Sequence, residues 1–279
     1  MPIYSEGYRP YIGTRDPTGR AWLVITMAGV RAVIAKRGFI VMLLVAWIPF
    51  LVRAVQIYAS VNLPQASFLD VSAQTFRDFL EQQDLWIFVI TIWVGAGLIA
   101  NDLKSNALQI YLSKPLTRSE YIAGKLGILV VFLLLVTWVP AMLLLFVQIA
   151  LAGSVTFVVS NLYLIPAVTL ASLLVVFSAS FTMLALSSFS KSARFVAVTY
   201  AGLLFFTQAI FTVVRGATGR TTLSWLSVPA SLDQINDVVF RLPARYESPL
   251  AVSGAAVVAL IGVSLIVLYR RVRAVEVVG

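Results

Sequence analysis

The chain has 279 residues, 60% of them hydrophobic and 12% charged, with a mean hydropathy of +0.93. A water-soluble domain carries roughly 25% charged residues, so about half of that charge is missing and much of the surface must face a lipid bilayer. Without Cys or His, disulfides, thiol nucleophiles, nitrogen- or sulfur-ligated zinc and Ser-His-Asp triads are excluded, and the +9 formal charge lies beside long apolar runs rather than on one soluble face, which disfavours nucleic acid.

In chain order, residues 1–15 are rich in Tyr, Gly and Pro and suit an irregular tail. Asp16-Pro17 offers a helix start, with an N-cap acceptor followed by Pro at the first helical position. From Gly19 to Arg37 an apolar stretch is punctuated by Arg20, Arg31, Lys36 and Arg37. It is expected as an amphipathic helix along the inner membrane surface, or else as a partly inserted extension of the first span. Six later stretches meet the requirement of about 20 apolar residues for a helical span: about 39–59, 85–100, 126–152, 162–189, 195–214 and 250–269. The first begins only after 38 residues and no small-residue cleavage pattern follows, so it is expected to be a retained span. Pro140 and Pro166 predict kinks or tilt in spans three and four. The organisation is therefore a tail and interface helix over 1–38 and a six-helix transmembrane domain over 39–279.

Orientation follows from Lys and Arg in the flanks. With the N-terminus inside, fifteen of the basic residues face the cytoplasm and five face outward, while Arg53 lies in the first span. Both ends are thus expected inside. The outer segment 60–84 is acidic and suits a solvated loop with a short helix. Segment 215–249 alternates Trp225, Leu226, Leu232 and Ile235 with Asp233, Gln234 and Asp237. It fits short external helices dipping into the outer leaflet, or a packed external loop.

No carboxylate falls within the expected spans. With His absent, this disfavours an intramembrane protease and a proton-coupled carrier. Arg53 is a candidate for the substrate path or for snorkelling to headgroups. Gln208 could face a cavity or hydrogen-bond between helices. The Ser and Thr residues of span four suit close helix packing.

The cytoplasmic loop 100–125, ANDLKSNALQIYLSKPLTRSEYIAGK, is the most informative segment. Leu108, Tyr111 and Leu112 share a helical face over 101–112, with Asp102, Lys104, Ser105 and Gln109 interspersed. Pro115 ends that helix by disfavouring helical geometry in the residue before it. Thr117 and Glu120 then form a capping box for a new helix, opening near Arg118 and running into span three. The result is helix, turn, helix: an elbow suited to a partner.

This loop resembles that of the ABC-2 family of ATP-binding-cassette transporter permeases, in a polar residue after span two (Asp102), a Leu-rich stretch, Lys114-Pro115-Leu116-Thr117-Arg118, Glu120-Tyr121 and Gly124-Lys125. Lys104-Ser105-Asn106-Ala107 stands where many members have an acidic residue and a Gly-Thr pair. The resemblance implies a permease subunit in a bacterial cytoplasmic membrane, moving a substrate as an exporter. Its implied partners are a separate ATPase subunit and a second permease copy or paralogue. Asp102, Lys104, Ser105, Leu108, Gln109, Leu112, Pro115 and Arg118 would form the coupling contact. No GxxxxGK[ST] phosphate loop exists in this chain, so no cofactor is expected here and ATP and Mg would be bound by the partner; the chain itself is not expected to be an enzyme. A non-transporting membrane anchor or tether is the alternative.

Overall fold

The computed structural model describes residues 20–62, 71–107, 116–152 and 162–272. Those residues fold as helices without strands. A short apolar helix, α1 (Ala21–Ile34), precedes six helical segments long and apolar enough to cross a membrane. The first is α2 (Arg37–Ala46) with α3 (Ile48–Asn62), broken at Trp47. Pro49 explains the break, because it cannot donate to the carbonyl four residues earlier and its ring crowds that turn.

The second segment runs from Ala73 to Lys104 as α4 (Ala73–Gln82), α5 (Asp84–Ile90), a π-helical turn (Thr91–Gly95) and α6 (Ala100–Lys104). Its 32 residues would reach about 48 Å as continuous helix, against a hydrocarbon core of about 30 Å. The expected span 85–100 was therefore only its apolar half. The acidic stretch before it is the same helical column, so Asp78, Glu81 and Asp84 stand on a membrane-crossing element rather than in a detached loop.

The third segment joins α7 (Arg118–Val136) to α8 (Trp138–Ala152) across Thr137. Here Pro140 produces the expected break. Pro166 does not: it occupies the first turn of α9 (Leu164–Ser187), where helical N–H groups have no intrahelical acceptor. The last two crossings are α10 (Ala193–Thr218) and α12 (Leu250–Arg271), with a 3-10 turn (Ser224–Leu226) and α11 (Val228–Val239) between them. Short helices thus fill the segment between spans five and six.

Helix α9 is the hub. Its Ser172, Ser178, Ser180, Thr182 and Ser187 are buried, and small side chains let neighbouring helices approach closely. One apolar core gathers Phe39, Ile99, Leu129, Phe132 and Met183, with Phe39 edge-on to Phe132 at 4.8 Å between ring centres. A second gathers Ile57, Phe76, Phe79, Leu144, Val168 and Phe240. Trp138 is pinned between helices, its Nε1–H donating to Thr169 Oγ1 at 3.0 Å. The outer faces of α2, α10 and α12 expose Leu44, Val198, Phe206 and Val258, side chains that belong in lipid.

Helix α1 departs from the amphipathic expectation. Trp22, Val24, Met27 and Ile34 are exposed although they are apolar, while Thr26 and Val33 are buried. Its inner face is docked on α7 through glycines. A Cβ on Gly124 would lie 2.7 Å from Ile25 Cβ, one on Gly127 2.5 Å from Thr26 Oγ1, and one on Gly29 2.1 Å from Ile128. Thr26 Oγ1 also donates to the Gly124 carbonyl at 3.1 Å. Arg31 is exposed as well, so the outward face of α1 carries one charge among apolar side chains.

Candidate functional site

Two sites occupy opposite ends of the second crossing. The first is the elbow. Glu120 N–H donates to Thr117 Oγ1 at 3.3 Å and Thr117 N–H to Glu120 Oε2 at 3.0 Å, so the capping box opens α7 as its sequence requires. Ahead of it the expected helix over 101–112 is interrupted. Helix α6 ends at Lys104, and Asn106 adopts a left-handed backbone with φ 55°. Asn tolerates that conformation, and Ser105 Oγ turns back to the Asn101 carbonyl at 2.9 Å.

Asp102 closes the elbow. Its Oδ2 accepts from the Tyr121 hydroxyl at 2.7 Å and pairs with Lys125 Nζ at 2.7 Å. The carboxylate and ammonium side chains are only 16% and 12% exposed, so the pair is screened little by water. Lys125 also lies over the Tyr121 ring, 5.5 Å from its centre. The end of span two is thereby tied to the start of span three, and α1 is packed on that start.

A second tie lies one turn deeper. Ser187, at the end of α9, accepts from Ile99 N–H at 3.2 Å and Ala100 N–H at 3.0 Å, and donates to the Ala96 carbonyl at 3.0 Å. These backbone groups are the ones freed where the π-helical turn gives way to α6. Gly95 makes the contact possible, since a Cβ there would stand 2.5 Å from Met183.

Among the expected coupling residues, Lys104 and Ser105 are exposed, Asp102 is turned inward, and Arg118 is half-buried at the first turn of α7. Leu108, Gln109, Leu112 and Pro115 lie outside the described residues, as do Tyr111, Lys114 and the Asp16-Pro17 helix start. Tyr121, Lys125 and Ser187 complete the site. The first two were visible in the sequence only as family pairs, and Ser187 carried no local signal.

The second site is a cavity of about 290 Å³ between α5, α9, α10 and α11. Leu203, Leu204, Phe205, Phe88 and Val175 form apolar walls, while Glu81, Asp84, Asp233 and Asn236 line it on the side away from the elbow. Gln208 lines it too and accepts from Ser227 Oγ, so it both faces a cavity and joins helices. Arg53 does not line it. Its guanidinium donates to Gln56 at 2.8 Å and to Gln82 at 3.4 Å.

Beside the cavity, Arg245 grips Asp237 with Nε and Nη2 at 2.8 and 2.9 Å and also bonds Glu81. Arg77 reaches Glu81 at 3.0 Å, Asp78 at 3.2 Å and Asp237 at 3.5 Å. Burial raises the Asp237 carboxyl to about 6, against the pull of Arg77 and reinforced by the neighbouring Asp78 charge. Gln234 accepts from Ser224, Ser248 and Ser253, locking α11 to the start of α12.

Residues 30–269 match the sequence profile of the ABC-2 family transporter proteins. The chain belongs to the ABC-2 family. The match covers the first five crossings, the sixth up to Tyr269, the elbow and the cavity. No curated protein matches it individually. Membership makes this a multi-pass transporter-family membrane protein, and it places the Asp102–Tyr121–Lys125 cluster in the segment where the family resemblance was read.

Proposed function

We propose that this ABC-2 family chain is the permease subunit of an exporter in a bacterial cytoplasmic membrane, driven by a separate ATPase subunit and paired with a second permease copy or paralogue. Both ends face the cytoplasm in this reading, because the basic flanks cluster with the elbow: Lys104, Lys191, Arg194, Arg270 and Arg271 all border that end. The segment 101–118 docks on the ATPase. The observation that carries the reading is the Asp102 cluster. A push on the elbow is not lost in a floppy connector, since Asp102 welds span two to span three and Ser187 ties the same turn to span four. The elbow, α1 and three crossings then move as one piece. ATP and Mg belong to the partner.

The test is co-purification with the co-expressed ATPase subunit, followed by ATPase turnover in nanodiscs. Deletion of 102–114 and Leu108→Asp should each abolish co-purification while the permease still inserts. Undiminished association after the deletion would overturn the docking assignment.

A further inference from the structure

The acidic side of the cavity carries more negative charge than its surroundings neutralise. Asp78, Glu81, Asp84, Asp233 and Asp237 share Arg77 and Arg245, and those two guanidiniums are spent mainly on Asp78, Glu81 and Asp237. Among the described residues Asp84 has no hydrogen bond and no ion pair, while Asp233 has only Arg245 at 3.8 Å. These two least-satisfied carboxyl groups both line the cavity, and no Lys or Arg among the described residues does.

A second observation is independent of the acids. Asn236, 5% exposed, lines the same cavity with an Oδ1 that accepts nothing. Ser172 and Thr182, also buried and lining it, leave their hydroxyls unpartnered. A buried acceptor without a donor has lost its water without replacement, and a ligand bearing N–H groups would relieve it. The remaining walls include Phe88, Tyr200 and Phe205, and aromatic rings attract cations when water is excluded.

We propose that this cavity binds a hydrophobic organic cation, an ammonium or amidinium group on an aromatic or short aliphatic body, with its charge against Asp84 and Asp233 and its N–H groups toward Asn236. Three-carboxylate clusters of the kind that hold a metal ion are absent among the described residues, and the apolar walls suit a carbon skeleton. Binding stands on the cavity alone; that the bound cation is the exported cargo rests on the permease reading.

The charge state of Asp233 supplies a signature. Burial, then Asp84, Glu81 and Asp237, push its carboxyl up to about 8 against the pull of Arg77. Arg245 and Tyr246 from the following loop complete the groups around it. At neutral pH the empty site therefore keeps a proton that an arriving cation displaces, and cation affinity rises as pH climbs through about 8.

The experiment uses the full chain in phosphatidylcholine nanodiscs, with empty nanodiscs subtracted, and ethidium as the fluorescent probe. Ethidium is competed with 4-phenylbutylammonium, 4-phenylbutanol and 4-phenylbutyrate, which share a skeleton and differ in charge. The ammonium should compete at least about tenfold better than the other two, and ethidium should bind more tightly at pH 9 than at pH 6. Asp84→Asn and Asp233→Asn should each weaken ethidium about tenfold, with Asp233→Asn also flattening the pH dependence. Equal competition by the alcohol or the carboxylate would overturn the proposal, as would wild-type affinity in both variants. Should either variant fail to fold, the wild-type ranking still decides. ATPase co-purification is read in parallel. Cation binding without ATPase association rejects the permease reading and keeps the site; the converse rejects the site alone.

Discussion

The two ends of the second crossing treat charge in opposite ways. At the elbow one carboxylate meets one ammonium and one hydroxyl, and Asp102, Lys125 and Tyr121 satisfy each other at 2.7 Å. At the cavity, Asp84 and Asp233 face space lined by apolar and unpartnered polar groups. Balanced charge makes a weld, whereas the carboxyls at the cavity are left with few cationic partners. Asp102 and Asp84 lie on one helical column, so in the proposed permease reading force would enter at one end and cargo would bind at the other.

The strongest way to break that contrast is to unbalance the weld. Lys125→Met should strand Asp102 and lower stability by about 3 kcal/mol, read as a fall in thermal unfolding temperature in nanodiscs. The double variant Asp102→Leu/Lys125→Met should recover part of that loss, because no charge is then left buried. A double variant no better than the single would show that the pair acts through something other than charge balance.

Next in size is the packing that seats α1 beside the weld. Gly124→Ala places a Cβ against Ile25 and the Trp22 carbonyl, and overpacking of this kind costs about 2 kcal/mol. Gly216→Ala, in α10 with open space around it, is the control and should be neutral or stabilising by up to about 1 kcal/mol. Equal melting of the two variants would refute tight docking of α1.

Ser187→Ala should cost about 1–2 kcal/mol by leaving the Ile99 and Ala100 N–H groups without their acceptor. Hydrogen exchange should speed up at 99–100 while the amides of α12 keep their protection. Uniform loosening across the bundle would argue that Ser187 serves general packing instead.

The smallest effect belongs to the unbalanced end. Asp233 holds its proton in the folded chain up to about pH 8, whereas an unfolded Asp releases it near 3.9. The folded state then binds more protons at this group between those values, so the contribution of Asp233 to stability is full below about pH 4 and is lost as pH rises through about 8. Asp233→Asn should flatten that decline in a melting series. A series in which the wild type gains stability over the same range would contradict a proton-holding Asp233.

Much of this was legible in local pattern. The six crossings follow from apolar run length, and the capping box follows from Thr117 and Glu120 three residues apart, because each depends on neighbours in the chain. Pro140 marked a real break for the same reason, while Pro166 misled because its effect depends on where the helix begins. Within the described part of the helix expected across 101–112, the chain is interrupted at Asn106, whose left-handed backbone is compatible with its side chain but not required by it. The acidic segment 60–84 is expected as a solvated loop with a short helix, and α4 supplies that helix; composition alone does not show that it continues into the crossing and borders a cavity.

What the sequence determined by itself was a six-crossing, all-helical membrane chain with a capped elbow of ABC-2 character, since transfer to lipid and helix capping are governed by short windows of residues. The tertiary structure alone decided the charge pairing. Ser187 meets Ile99 across 88 residues, and Arg245 meets Glu81 across 164. Whether a carboxylate is neutralised depends on which cations the packed helices bring within a few ångströms, and no local periodicity encodes that distance.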